Sequence, residues 1–171
     1  GDPNFVNFNL EEILSDKNIE EIFNKISLNS CSDVGDLNIP AHPETIYLTV
    51  VDKDLNSVSI INSVCYVFGS GITTNKSGIL LHNRGTNFRV EHGHPNCIEG
   101  LKRPLHTIIP GMVIDKDNNT TLSYGVMGGQ YQPVGQVHVL NNMIDYGMGP
   151  QEALSFPRAF HFNNIYKLEK T

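Results

Sequence analysis

The sequence of 171 residues contains no tryptophan, only three cysteines and no long apolar run. The cysteines, Cys31, Cys65 and Cys97, are isolated from one another. Their odd number and the lack of a C-x-x-C pair argue against a disulfide framework. No apolar run approaches the roughly 20 residues that a transmembrane helix needs. We therefore expect neither a disulfide-stapled scaffold nor a helical membrane protein.

Positive charge is also scarce in this sequence. Twelve Lys and Arg residues are outnumbered by eighteen Asp and Glu residues, for a formal net charge of −6. No basic stripe is present, which argues against a nucleic acid or an anionic membrane as partner. The sequence shows no basic-then-apolar leader, which favours the cytoplasm. Its abrupt start at Gly1-Asp2-Pro3 resembles that of a fragment, however, so the compartment stays open.

The seven histidines raise the question of a metal site. His82, His92 and His94 lie close in sequence, and metal binding is one interpretation of them. No second cluster of Cys, His or carboxylate residues at ligand spacing accompanies them. We therefore predict hydrogen-bonding or surface histidines, with no metal and no cofactor.

The composition is otherwise that of one globular domain, with 39% hydrophobic residues. Helical spacing predicts an amphipathic helix that ends near Ile26, after caps at Asn9 and Asp16. Strands are predicted at 46–51 and 58–67, which form a hairpin around the turn residues Asp52 to Asn56. Further strands are predicted at 78–83 and 121–127, and helices at 136–144 and 151–154. The strands cluster instead of alternating with helices. This order favours an α+β fold with a mainly antiparallel sheet covered by helices.

The threonine at the head of the first predicted strand is the first candidate for chemistry. Thr45 follows an irregular segment, residues 28–43, that is long for a loop in a compact domain. A cut before Thr45 would free an α-amine with a pKa near 8, which could act as general base for the attached hydroxyl. A threonine at the start of a strand is ordinarily structural, so this position alone decides nothing.

A glycine pair further along the chain is the second candidate. Gly128-Gly129 follows a predicted strand and could direct two backbone N–H groups at one oxyanion, although such a pair more often forms a turn. Other polar side chains, among them Ser63, Arg84 and Asn87, could hold a polar substrate. Each of these signals is weak by itself.

In combination, these residues belong to a series of ordered motifs that resembles one family. The motifs are Thr45-Ile-Tyr-Leu-Thr-Val-Val-Asp-Lys-Asp54, Phe68-Gly-Ser-Gly71, Gly78-Ile-Leu-Leu-His-Asn83, Lys102-Arg-Pro-Leu105, Gly128-Gly129, Asp145-Tyr-Gly147 and Pro157-Arg158. They look like the small subunit of the γ-glutamyltranspeptidases, and residues 1–6 resemble the end of that family's large subunit. The resemblance implies an N-terminal-nucleophile hydrolase with an αββα sandwich. Residues 1–44 would then be the end of the large-subunit segment and the processing loop, and residues 45–171 the catalytic small-subunit segment.

The resemblance also implies roles for individual residues. Thr45 matches the nucleophile, and the Glu44–Thr45 bond matches the bond that the precursor cleaves in itself. Ser63 matches the hydroxyl residue that binds the freed amine of the nucleophile. Gly128 and Gly129 match the oxyanion hole.

The pocket for the acyl donor departs from the family pattern. His106 and Thr107 stand where typical members carry two serines that hold the donor's α-carboxylate. Cys65, Arg84 and Asn87 stand where typical members carry residues that hold its α-ammonium group. A cation and an amide are a poor replacement for carboxylates there, because an ammonium group prefers a carboxylate partner.

Three hypotheses for function follow. The first is a γ-glutamyltranspeptidase-like amidohydrolase or acyltransferase that cleaves γ-glutamyl amides such as glutathione and passes the acyl group to water or an amine. The second is a related amidase of the cephalosporin-acylase type, with another acyl donor. The third is an unprocessed, non-catalytic homologue. The expected partners are a small amide substrate and the remaining large-subunit segment of the same precursor, and a homo-oligomer is compatible with the sequence.

Overall fold

The computed structural model describes residues 1–30, 43–162 and 165–170. Over these residues the chain forms an α+β structure, as predicted, with helices at the start, three antiparallel strand pairs and two helices between the second and third pairs. The elements in chain order are α1 (Leu10–Ile13), α2 (Asp16–Phe23), β1 (Pro43–Val51), β2 (Ser57–Tyr66), a 3-10 helix (Arg84–Asn87), β3 (Gly111–Ile114), β4 (Thr120–Tyr124), α3 (Tyr131–Ile144), α4 (Pro150–Ser155), β5 (Ala159–Phe162) and β6 (Ile165–Leu168). Most of the predicted loop at 28–43 lies outside the described residues.

The predicted hairpin is confirmed by the antiparallel pairing of β1 with β2. The Asp52 carboxylate accepts hydrogen bonds from the backbone N–H groups of Asp54 and Asn56, at 2.9 Å each, and so forms the turn. Near the start of β1 the register shifts between Glu44 and Ile46. This β-bulge leaves Thr45 as the single residue opposite two residues of β2, at 63 and 64.

One face of this hairpin packs on the second strand pair, β3–β4. The Tyr47 hydroxyl lies 2.9 Å from Ser59 Oγ and 2.7 Å from Ser123 Oγ on β4. Ser59 Oγ donates to the carbonyl of Gly111 on β3 at 3.0 Å. A side chain at Gly125 would place its Cβ 2.2 Å from the Tyr47 ring, so only glycine fits beside it. The two hairpins are thus held face to face through polar contacts.

The other face of the hairpin is apolar and exposed. Ile46, Leu48 and Val50 alternate along β1 with exposures of 66%, 44% and 55%, and Val58 and Ile60 lie opposite them on β2. A strand with one apolar face needs a second layer to cover it. Within the described residues this layer is not provided.

Three local predictions are corrected by the structure. The N-cap of α2 is Ser15, whose Oγ accepts from the N–H of Asn18 at 3.2 Å, and not Asp16. The helix predicted from 136 begins at Tyr131, because Pro133 stands in its first turn, where a missing N–H costs no helical hydrogen bond. Residues 78–83 form only an isolated bridge through Leu80, and not a strand.

The β5–β6 pair was not predicted. Its strands have four residues each, which is too short to show a clear alternation of apolar and polar residues. None of the helices in the described part of the chain is long and apolar enough to span a bilayer.

Candidate active site

Thr45 is buried beside the first turn of α3. Thr45 is 6% exposed and Gln132 is 1% exposed. The Oγ1 atom of Thr45 lies 3.3 Å from one end of the side-chain amide of Gln132. The other end of that amide lies 3.0 Å from the backbone oxygens of both Val126 and Thr107. A buried amide therefore joins the nucleophile candidate to two other backbone segments.

The contacts of the Gln132 amide determine its orientation. The carbonyl oxygens of Val126 and Thr107 can only accept hydrogen bonds, so the amide nitrogen is assigned to the side that faces them. The amide oxygen is then the atom that faces Thr45 Oγ1, and it accepts the hydrogen bond from the Thr45 hydroxyl. In this orientation every contact of the amide pairs a donor with an acceptor.

Gly128 and Gly129 lie directly before Gln132 in the chain, and both need glycine. Their φ angles are +123° and +58°, which disfavour any residue with a Cβ. Their carbonyls accept from the N–H groups of Tyr131 and Gln132, at 3.1 Å each. Their own N–H groups donate to no acceptor in the described part of the protein. Two backbone donors are thus available in the segment directly before Gln132, the residue that contacts Thr45.

Ser63 lies on β2 at the bulge opposite Thr45 and is held from two sides. Its Oγ accepts from the backbone N–H of Cys65 at 3.0 Å and from Arg84 Nη2 at 2.8 Å. Cys65 is a free cysteine, is 2% exposed and has a φ of +81°. The structure therefore brings three predicted site residues into one hydrogen-bonded group.

The surroundings of Arg84 are electropositive. No carboxylate of the described residues lies within 4 Å of its guanidinium group, whereas Arg103 is paired with Asp2 at 2.9 Å. Burial lowers the pKa of His106 below its usual 6.5, and the charges of Arg84 and Arg103 lower it further. His106 is consequently neutral at neutral pH, and Arg84 carries the charge of this region.

Asn87 holds the 3-10 helix against the segment that carries His106. Its side-chain Nδ2 donates to the backbone carbonyl of Leu105 at 2.9 Å. Its backbone carbonyl accepts from Asn96 Nδ2 at 2.7 Å. Asn96 Oδ1 in turn accepts from the N–H of Leu105 at 3.1 Å. The amide of Asn87 is thus engaged with the backbone on its donor side.

Seven of the nine predicted site residues form two groups in the structure, and Asn87 and His106 belong to neither. Thr45, Thr107 and the Gly128-Gly129 segment meet through Gln132, and Ser63, Cys65 and Arg84 meet on β2 and the 3-10 helix. Gln132 itself was missed, because a polar residue in the first turn of a helix is normally exposed. Within residues 1–30, 43–162 and 165–170, no three His, Cys, Asp or Glu side chains could jointly hold a metal ion.

The α+β fold carries a buried threonine near the head of a strand and a glycine pair whose N–H groups meet no acceptor in the part of the chain that the structure describes. This fold is that of an N-terminal-nucleophile hydrolase. Within that class the chain belongs to the gamma-glutamyltranspeptidase family, since the family model of that description matches residues 1–171. The expectation drawn from the ordered motifs is therefore confirmed.

Individual relatives show the range of this family. The chain is 38% identical over 162 residues to the glutathione hydrolase-like YwrD proenzyme of Bacillus subtilis, covering 92% of this chain and 29% of the relative. It is 31% identical over 157 residues to the oxamate amidohydrolase proenzyme of Klebsiella pneumoniae, again covering 92% and 29%. The solved structure of cephalosporin acylase from Bacillus halodurans is similar with a TM-score of 0.78 and 36% identity, covering 95% of this chain and 29% of the acylase. The chain thus spans less than a third of the length of these relatives.

Proposed function

We propose that this chain is part of a self-processing N-terminal threonine amidohydrolase or acyltransferase that cleaves γ-glutamyl amides such as glutathione. The observation that carries the proposal is the buried hydroxyl of Thr45, which is hydrogen-bonded to Gln132. Gln132 follows Gly129 by three residues, and the N–H of Gly129 has no acceptor among the described residues. Membership of the gamma-glutamyltranspeptidase family supports the same activity.

The proposed reaction starts with cleavage of the Glu44–Thr45 bond, which lies within β1. The freed α-amine of Thr45 then takes the hydroxyl proton as Oγ attacks the amide carbonyl of the substrate. The N–H groups of Gly128 and Gly129 stabilise the negative oxygen of the tetrahedral intermediate. The proton passes to the leaving amine, and an acyl-Thr45 ester remains. Water or an acceptor amine attacks this ester and releases the acyl group.

The proposed precursor places residues 1–44 at the end of a large-subunit segment and residues 45–171 in the small subunit. The exposed apolar face of the hairpin, which includes Ile46, Leu48 and Ile60, supports this division. In an αββα sandwich such a face is covered by another layer, and we assign that layer to the remaining large-subunit segment of the same precursor.

A second candidate function differs only in the acyl donor. Arg84 is bound to Ser63 and has no carboxylate partner among the described residues, so it would repel the α-ammonium group of a γ-glutamyl donor. An amidase of the cephalosporin-acylase type, with an acyl group that lacks this ammonium, is favoured by that single observation. The relatives named for oxamate and cephalosporin substrates are consistent with such a change of donor.

One experiment separates these functions. The full-length precursor and its Thr45→Ala variant are purified, incubated and analysed by mass spectrometry. We expect the wild type to yield a subunit that begins at Thr45 and the variant to stay uncut. Processed enzyme is then assayed on γ-glutamyl-p-nitroanilide and on glutaryl-p-nitroanilide, which share a leaving group and differ in the ammonium.

The outcomes are distinct. Turnover of the γ-glutamyl substrate supports the first function, and turnover of the glutaryl substrate alone supports the second. A wild-type chain that stays uncut after long incubation would falsify both and identify a non-catalytic homologue.

A further inference from the structure

We propose that Gln132 is a positioning residue that fixes the Thr45 hydroxyl and links it to the oxyanion-binding segment. This inference rests on the proposed function, because it assigns a task to Gln132 within the same site. Its basis is the buried amide that contacts Thr45 Oγ1 at 3.3 Å and the carbonyls of Val126 and Thr107 at 3.0 Å.

The first step of the argument concerns the threonine side chain. A threonine χ1 angle has three staggered minima, which differ in the direction of Oγ1. In the observed rotamer Oγ1 lies 3.3 Å from the Gln132 amide, and rotation of χ1 to another minimum would swing Oγ1 away from its present position. The hydrogen bond therefore selects one rotamer and keeps Oγ1 at the side of β1 that faces α3.

The second step concerns what holds Gln132. Its amide nitrogen donates to two carbonyls, so the end that contacts Thr45 cannot rotate without breaking two hydrogen bonds. Val126 lies two residues before Gly128, and the N–H of Gln132 donates to the carbonyl of Gly129 at 3.1 Å. One residue thus fixes the distance between the nucleophile and the glycine pair.

The third step is a comparison with Gln136, one turn further along α3. Gln136 is also buried, at 7% exposed, and its Nε2 also donates to a backbone carbonyl, that of Ile109. It makes no hydrogen bond to Thr45. If a buried glutamine served only to satisfy carbonyls between α3 and its neighbours, the two residues would behave alike when replaced.

The test uses Gln132→Met and Gln136→Met in the full-length precursor, since methionine keeps the length of the side chain and removes the amide. For Gln132→Met we expect both the cleavage of the Glu44–Thr45 bond and kcat to fall, by about 100-fold, as for a misplaced reacting atom. We expect KM to change less than kcat, because Gln132 contacts the nucleophile directly and touches Thr107 only through its backbone carbonyl. We expect Gln136→Met to lower the midpoint of thermal unfolding by as much as Gln132→Met does. Its kcat should stay close to that of wild type.

The controls separate the two proposals. If wild-type precursor is not cleaved and has no activity, the proposed function fails, and the positioning role that rests on it fails with it. If wild type is active and Gln132→Met retains wild-type cleavage and kcat, the positioning role is overturned. An equal loss of kcat in both variants, in proportion to their thermal destabilisation, overturns it as well.

Discussion

Arg84 Nη2 donates a hydrogen bond of 2.8 Å to Ser63 Oγ, across 21 positions of the chain. The contact places a cation beside the Ser63 hydroxyl. The family resemblance implies that this hydroxyl binds the freed amine of the nucleophile. The contact also brings that cation close enough to His106 to lower the pKa of its imidazole. The electrostatics around Ser63 and His106 thus depend on Arg84.

The first prediction concerns this charge. Burial is the larger cause of the lowered His106 pKa, and the Arg84 charge is the next. We expect Arg84→Gln to raise the pKa of His106 toward, but not to, its usual value of 6.5, because burial remains. The measurement is NMR titration of the imidazole in the full-length protein. Arg89→Gln removes a cation that is not among the causes and should leave the titration unchanged; a similar rise in that variant would contradict the assignment.

The second prediction concerns the glycine pair. Gly128 has a φ of +123°, which alanine strongly disfavours, so Gly128→Ala should turn the peptide and move its N–H group. We expect kcat to fall by about 100-fold, the usual effect of losing one oxyanion donor, with a small change in KM. Steady-state kinetics of the processed enzyme measure this.

Gly147→Ala is the matched control for the glycine pair. Gly147 also has a positive φ, of +68°, and a Cβ there would meet no atom within 4 Å. It carries the same kind of backbone penalty without a contact to the site. If both variants lose kcat equally, the loss reflects folding, and Gly128 has no role as an oxyanion donor.

The third prediction is a pH dependence of stability. Hydrogen bonds from the side chain and backbone of Arg103 hold the pKa of the Asp2 carboxyl well below its usual 3.8. A carboxyl whose pKa is lowered in the folded state stabilises that state above the unfolded pKa and loses this effect as pH falls through the folded pKa. We expect Asp2→Asn to lower the free energy of unfolding at pH 7, and the difference from wild type to shrink below about pH 4.

Thermal unfolding of both proteins between pH 7 and pH 3 tests the Asp2 prediction. Asp54→Asn changes the net charge equally at an exposed turn position and serves as control. A difference between wild type and Asp2→Asn that stays constant over the whole range would rule out the ionised carboxylate as its source.

The fourth prediction concerns backbone strain in the β1–β2 turn. Leu55 has a φ of +65° and is 78% exposed, so it bears a left-handed conformation and buries little surface. Leu55→Gly should stabilise the protein by about 1 kcal/mol, because glycine adopts this conformation without a Cβ clash. The midpoint of thermal unfolding should rise. Leu55→Ala keeps the Cβ and should give no increase; an increase of equal size in both would locate the effect in the lost leucine side chain.

The local elements were largely predictable because their causes lie within a few residues. Asp52 and Asn56 predicted the hairpin turn. Asn9 predicted the cap of α1, and its side chain accepts hydrogen bonds from the N–H groups of Glu11 and Glu12. The start of α3 was not predictable in this way, because Pro133 is compatible with either a helix start or a break. The short strands β5 and β6 were missed for lack of a pattern long enough to show alternation.

The sequence by itself determined the candidate nucleophile and its family. Thr45, Gly128 and Gly129 stand in ordered motifs, and their roles depend on residue type and order, which the sequence contains. Only the tertiary structure placed Gln132 on Thr45, across 87 positions, and Arg103 on Asp2, across 101. Contacts of this kind depend on how strands and helices pack, and a glutamine that will be buried looks in the sequence like one that will be exposed.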